Sequence, residues 1–142
     1  MAAQIGLPYR GIYSASKFAV EGFTEALSME VKQFGIKVCL IEPGDFKTNI
    51  NTTRKVVSYV DKNAYGTQSD DVLNLVNREV DNARTPEVIG YKIEAIINND
   101  KPALRFRVAT LMQRFSLTLM RTLPSRLFEK MVMNHYKIPT RK

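Results

Sequence analysis

The sequence predicts an α/β fold with a parallel sheet, and three observations carry that prediction. Residues Tyr13–Phe34 repeat apolar side chains at three- and four-residue steps, with a glycine, Gly35, directly behind them. The run Ile36–Ile41 that follows has five apolar residues in six, more than the alternation of a half-exposed strand would give and as expected of a strand covered on both faces. Over its 142 residues the chain then reads helix–strand–helix–helix–strand–helix, the alternation from which parallel sheets are built.

The elements follow in order. Residues 1–12 form a loop, because Gly6, Pro8 and Gly11 interrupt any helix. In the first helix Phe18, Ala19, Phe23, Ala26, Leu27 and Val31 make one stripe for burial, and Gly35 is placed to end it in the left-handed conformation. Pro43-Gly44 stops the strand. Residues 45–68 are polar and aperiodic, a connection of the length that usually carries function. A second helix is predicted from near Asp70 to Ala83, with Val72, Leu73, Leu75, Val76 and Val80 inward, and Asp70 and Asp71 favouring the positive end of its dipole. Thr85-Pro86-Glu87 is a helix start, with a capping hydroxyl and proline at the first position, and that helix reaches about Asn98. Ala103–Val108 alternates apolar and basic residues, a short strand at a sheet edge or end. Residues 109–134 read as one or two amphipathic helices broken near Pro124.

Composition narrows the function classes. With 44% hydrophobic and 25% charged residues the chain is globular in character. No apolar run approaches the ~18 residues of a membrane span, and the first residues lack the basic and apolar blocks of a secretory leader, so a cytoplasmic chain is expected. One cysteine and one histidine exclude a disulfide framework and any cysteine-rich or multi-histidine metal site; no metal is expected. Cys39 reads as a small core residue, and His135 as a packing or solvent-facing one. The net charge of +7 is uneven: residues 1–100 carry 11 basic and 13 acidic side chains, whereas residues 101–142 carry 10 basic ones and Glu129 alone of the acids. Without a base-reading motif this basic segment is a solvated face, and no nucleic-acid partner is expected.

One constellation carries chemistry. Tyr13 and Lys17 stand four apart at the opening of the first helix, so they share a face. A phenol titrates near pH 10, too high to exchange protons at neutrality, and an ammonium one turn away stabilises the phenolate. Such a pair can exchange a proton with an alcohol or ketone. Alone, Tyr-x-x-x-Lys is a weak motif. Here the helix leads into a buried-type strand ending Glu42-Pro43-Gly44-Asp45-Phe46-Lys47-Thr48, with Gly6-Leu7-Pro8 upstream of the tyrosine.

With those residues in that order, Tyr13–Ile50 resembles the catalytic half of the short-chain dehydrogenase/reductase family, and looks nearest to its hydroxysteroid and retinol dehydrogenase branch. The resemblance implies a Rossmann-type, doubly wound parallel sheet. It implies NAD or NADP as cofactor and hydride transfer between it and a small-molecule secondary alcohol or ketone. Tyr13 would be the proton donor or acceptor and would also touch the cofactor, and Lys17 would lower its pKa and meet the nicotinamide ribose. Pro43, Gly44 and Thr48 would hold the nicotinamide, and residues 51–68 would cover the substrate. A homo-oligomer is implied as well.

The sequence also departs from the family pattern. The substrate-facing serine of the family falls at a position just before Met1, and Ser14 and Ser16 lie on the wrong side of Tyr13 to replace it. No Gly-x-x-x-Gly-x-Gly turn for the pyrophosphate occurs in the 142 residues. The expectation is therefore a C-terminal half over 1–142, lacking the nucleotide-binding half and inactive in isolation. Its parts would be the catalytic helix and nicotinamide loop (13–50), the lid (51–68) and a basic amphipathic region (109–142). The alternative is a non-catalytic remnant acting as an interaction or membrane-surface module. In the basic region, Arg114, Arg121, Arg126 and Lys130 oppose a broad apolar face. That pattern suits contact with an anionic membrane, cover for the substrate cleft, or an oligomer interface.

Overall fold

The computed structural model describes residues 4–54, 65 and 67–139. The first helix, α1, spans Gly11–Glu30, and a 3₁₀ turn at Lys32–Phe34 follows it. Gly35 closes that turn at φ 72°, the left-handed geometry for which a glycine was expected there. Strand β1 is Leu40–Pro43, and a short helix α2, Ile50–Thr53, comes after the loop behind it. Helices α3 (Gln68–Asp81) and α4 (Glu87–Ile97) lead to strand β2 (Arg105–Val108), and α5 (Leu111–Thr122) and α6 (Ser125–His135) complete the described elements, with Leu123-Pro124 between them.

The two strands pair in parallel, Leu40 opposite Arg105 and Pro43 opposite Val108. A further bridge joins Phe46 to Arg84, where the Lys47 N–H donates to the Arg84 carbonyl at 2.8 Å. The predicted strand over 36–41 is thus shifted: pairing starts where the Leu40 N–H meets the Leu104 carbonyl at 2.7 Å, and Ile36 stays exposed. Nor is the strand covered on both faces. Leu40 and Ile41 are half-buried and Glu42 alone is buried, because the sheet has one neighbouring strand among the described residues. Cys39, expected in the core, is half-buried for the same reason.

Helix α1 departs further from expectation. Phe18 and Phe23 of its apolar stripe are exposed, Phe23 at 68%, and Ala26, Leu27 and Val31 are half-buried. Its buried residues are Ser14 and Glu21, since the two strands found among the described residues are too narrow to cover a stripe spanning the helix. Polar contacts tie helix to sheet instead. Gln4 Nε2 donates to Glu21 Oε1 at 3.1 Å and to Glu42 Oε1 at 2.9 Å. Arg105 on β2 reaches Glu21 at 2.7 Å and Glu25, while Arg107 reaches Glu42 at 2.9 Å.

The apolar core lies elsewhere. Val72 and Val76 of α3 pack with Tyr136, and Leu7, Leu75, Val132 and Ile138 close around them. This is the inward face predicted for the second helix, with Val80 buried one turn on. The start of α4 differs from the capping expected of Thr85: Pro86 takes the cap position without a side-chain bond, and the Thr85 hydroxyl serves Glu87, holding that carboxyl below its ordinary value.

Candidate active site

Tyr13 and Lys17 occupy the first turns of α1, and the residues before them fix how that helix begins. The Leu7 N–H donates to the buried Ser14 Oγ at 3.1 Å, and the Ser14 N–H to the Arg10 carbonyl at 2.9 Å. Tyr9 adopts φ 57°, which turns the chain sharply into the helix and sets its ring edge-on to Tyr65 at 5.7 Å. Arg10 Nη2 donates to the Tyr136 hydroxyl at 2.8 Å, so the far end of the chain pins the residue that caps α1. Ser14 is therefore spent on structure, and Ser16 Oγ donates to the Tyr13 carbonyl at 2.7 Å.

The phenol at the helix start is accessible, with Tyr13 38% exposed. Lys17 Nζ stands 5.5 Å from the centre of its ring, the one-turn neighbourhood that the four-residue spacing dictates. Among the described residues the Tyr13 and Thr48 hydroxyls take part in no hydrogen bond, and both face solvent, available to a ligand.

The Pro43–Thr48 loop leaves the end of β1. The Gly44 N–H donates to the Val108 carbonyl at 2.9 Å, prolonging the strand pairing by one residue. Phe46 is buried, while Asp45, Lys47 and Thr48 are exposed. A groove of about 390 Å³ opens beside the loop, with Asp45, Phe46, Arg84, Arg107 and Gln113 among its walls. A cleft of about 590 Å³ lies at the start of α1, where Ile5, Leu7 and Ser14 face Met120, Phe128 and Met133. The helix bearing Tyr13 and the strand bearing the loop are held together through the Gln4–Glu21–Glu42–Arg105 cluster. Hydrogen bonds from Arg105 to Glu25 and then Glu21 hold its guanidinium above its ordinary value.

Sequence reasoning missed Gln4, Arg10, Arg105, Arg107 and Tyr136 as supports of the site. The alternating Arg105 and Arg107 of a strand were a usable signal, because arginines on one face of a strand demand acidic partners. Thr110 and Gln113 carried another, the spacing of a capping box. Residues 55–64 and 66, most of the expected lid, lie outside the described residues.

Residues 1–56 match the short chain dehydrogenase family. The chain is 41% identical over 110 residues to a 3-ketodihydrosphingosine reductase of Bacteroides thetaiotaomicron, covering 77% of this chain and 41% of that protein. It is 34% identical over 128 residues to an uncharacterized oxidoreductase, YbbO, of Escherichia coli, covering 90% of this chain and 44% of that one. A 17-beta-hydroxysteroid dehydrogenase type 6 of Rattus norvegicus is 35% identical over 88 residues, 54% of this chain and 28% of the relative. The chain thus spans about two fifths of the length of the first two relatives.

Proposed function

The chain belongs to the short-chain dehydrogenase/reductase family, and from that premise we propose that it carries the catalytic residues of an NAD- or NADP-dependent oxidoreductase acting on a secondary alcohol or ketone. The observation that carries the reading is Tyr13, exposed on the first turns of α1 with the Lys17 ammonium 5.5 Å from its ring. The residues fit a nicotinamide nucleotide in kind: accessible hydroxyls at Tyr13 and Thr48, a cation at Lys17, and a loop at Pro43–Thr48 anchored through its backbone. When bound, the nucleotide supplies or accepts the hydride. Tyr13 hands a proton to the carbonyl oxygen during reduction, or takes one from the alcohol during oxidation. Lys17 would stabilise the negative charge that develops on the phenol oxygen and would hold the ribose hydroxyls. Pro43, Gly44 and Thr48 would hold the nicotinamide.

A long-chain keto compound, of the kind named for the Bacteroides relative, is the first candidate to assay. The pyrophosphate-binding turn this chemistry requires is not among the 142 residues, so turnover is expected of the native protein where that turn is supplied.

The test uses the native protein with NADH or NADPH and a long-chain 3-keto substrate. Tyr13→Phe should lower turnover by about 10²-fold or more, a loss that saturating nucleotide does not recover. Retained turnover would dismiss Tyr13 as the proton carrier.

Two partner readings rest on exposed surface. Ile12, Phe23 and Met29 of α1 are exposed and suit a second copy of the chain. Leu111, Met112 and Phe115 of α5 are exposed beside Arg114 and suit an anionic membrane. Sedimentation of the native protein tests the first. Binding to anionic liposomes, lost on Arg114→Glu with Arg121→Glu, tests the second.

A further inference from the structure

We propose that Gln113 is a positioning residue for the Pro43–Thr48 loop, a role that rests on reading this loop as the holder of the nicotinamide. Gln113 sits in the first turn of α5 and completes a capping box with Thr110. Its N–H donates to Thr110 Oγ1 at 3.3 Å, and its Oε1 accepts the Thr110 N–H at 3.1 Å. Capping therefore uses the carbonyl end of the carboxamide. The amide end is left over, and it donates to Asp45 Oδ2 at 2.5 Å, 68 residues away in the chain. Donor and acceptor ends are assigned by their partners, an N–H on one side and a carboxylate on the other.

Gly44 shows how closely the loop approaches this side chain. A Cβ there would overlap Gln113 Oε1 and would stand 3.0 Å from its Cδ and 3.1 Å from the Ala109 Cβ. Among the described residues Gly35 is the glycine at positive φ, so a side chain at Gly44 would displace the end of Gln113 and would not strain the backbone. With the Gly44 N–H on the Val108 carbonyl, the end of β2 and the start of α5 grip two successive loop residues. The Lys47 N–H on the Arg84 carbonyl holds the next part of the loop, so the clasp to Gln113 sets the conformation of its first residues.

The two uses of the carboxamide can be separated. A glutamate at N3 completes a capping box as well as a glutamine does, but it turns a negative charge toward Asp45. Gln113→Glu therefore keeps the cap and breaks the clasp. Asp45→Asn alone still accepts from Gln113 and serves as the control. Combined with Gln113→Glu, it restores the bond with donor and acceptor exchanged.

The experiment places these variants in the native protein. It measures amide hydrogen exchange at residues 45–48 and within α5, and affinity for reduced nicotinamide mononucleotide, which probes the nicotinamide end alone. Gln113→Glu should speed loop exchange and weaken mononucleotide binding by about tenfold, the size expected for one charge-assisted bond. Exchange within α5 should stay as in the wild type, and the double variant should recover both losses. Unchanged loop exchange in Gln113→Glu, or no recovery in the double variant, would reduce Gln113 to a helix cap. Faster loop exchange with unchanged affinity would overturn the positioning role. A wild-type protein that binds no mononucleotide would overturn the reading of the loop itself, and the exchange data would still decide whether Gln113 sets the loop's conformation.

Discussion

The Tyr136 hydroxyl accepts a hydrogen bond from Arg10 Nη2 at 2.8 Å, across 126 positions of sequence. The same guanidinium lies 5.8 Å from the centre of the Tyr136 ring, whose body fills the core between Val72 and Val76. One side chain therefore serves the apolar core and fixes the cap of the helix that presents Tyr13.

Removing that hydroxyl should be felt in stability. Tyr136→Phe keeps the packing and loses a bond to a charged donor, a cost of about 1–2 kcal/mol in urea unfolding. Tyr136→Ala should cost about 3–5 kcal/mol, since it also empties the core.

A pH dependence follows from the same residue. Burial pushes the Tyr136 phenol above its ordinary value, with Glu79 and Asp45 adding to the rise and Arg10 opposing it. The folded chain resists an ionisation that the unfolded chain undergoes near pH 10. This contribution to stability is whole below that pH and is lost as pH climbs through the folded value. Thermal melting should show a drop in alkali for the wild type that is smaller in Tyr136→Phe; equal drops would refute the assignment.

Glu42 offers a second test. Its side chain is 4% exposed and accepts from Gln4 and Arg107, with Arg105 3.4 Å away. Glu42→Leu leaves Arg107 without its carboxylate in a half-buried setting. Breaking a fully buried pair costs about 3–5 kcal/mol, and the partial exposure of both arginines reduces the expectation to about 2 kcal/mol. Chemical denaturation measures it, and a loss below the scatter of the method would mean that the arginines turn to solvent at little cost.

The Thr85 hydroxyl, with the backbone N–H of Glu87 second, holds the Glu87 carboxyl down. Thr85→Val should bring its titration back up toward the ordinary glutamate range in an NMR pH series. A depressed acid contributes stability above its unfolded pKa and loses it as pH falls through the folded value, so the variant should forfeit a small acid-sensitive increment.

Much of the organisation was legible from local pattern. The apolar spacing of Val72, Val76 and Val80, the Gly35 stop and the break near Pro124 all report interactions within a few residues, and each stands where its spacing put it. Tyr13 and Lys17 were legible for the same reason: one helical turn brings them together wherever the helix packs. The pairing of β1 was misjudged because apolar content measures what a strand could bury, whereas its neighbours decide what it does bury. Phe18 and Phe23 were misjudged likewise.

By itself, then, the sequence determined the places of the longer helices, the Gly35 stop and the Tyr13–Lys17 pair, since these depend on short-range geometry. The first helix, however, begins at Gly11 and ends at Glu30, inside its expected end at Phe34, and a short helix stands at Ile50–Thr53 where a connection was expected. Tertiary structure alone decided that Glu21 and Glu42 would meet Arg105 and Arg107, that Arg10 would meet Tyr136, and that Gln113 would occupy the space Gly44 leaves open. Those contacts join residues tens of positions apart, and hydrogen bonds form only where the packing of α1, β1, β2 and α5 has already brought donor and acceptor within reach.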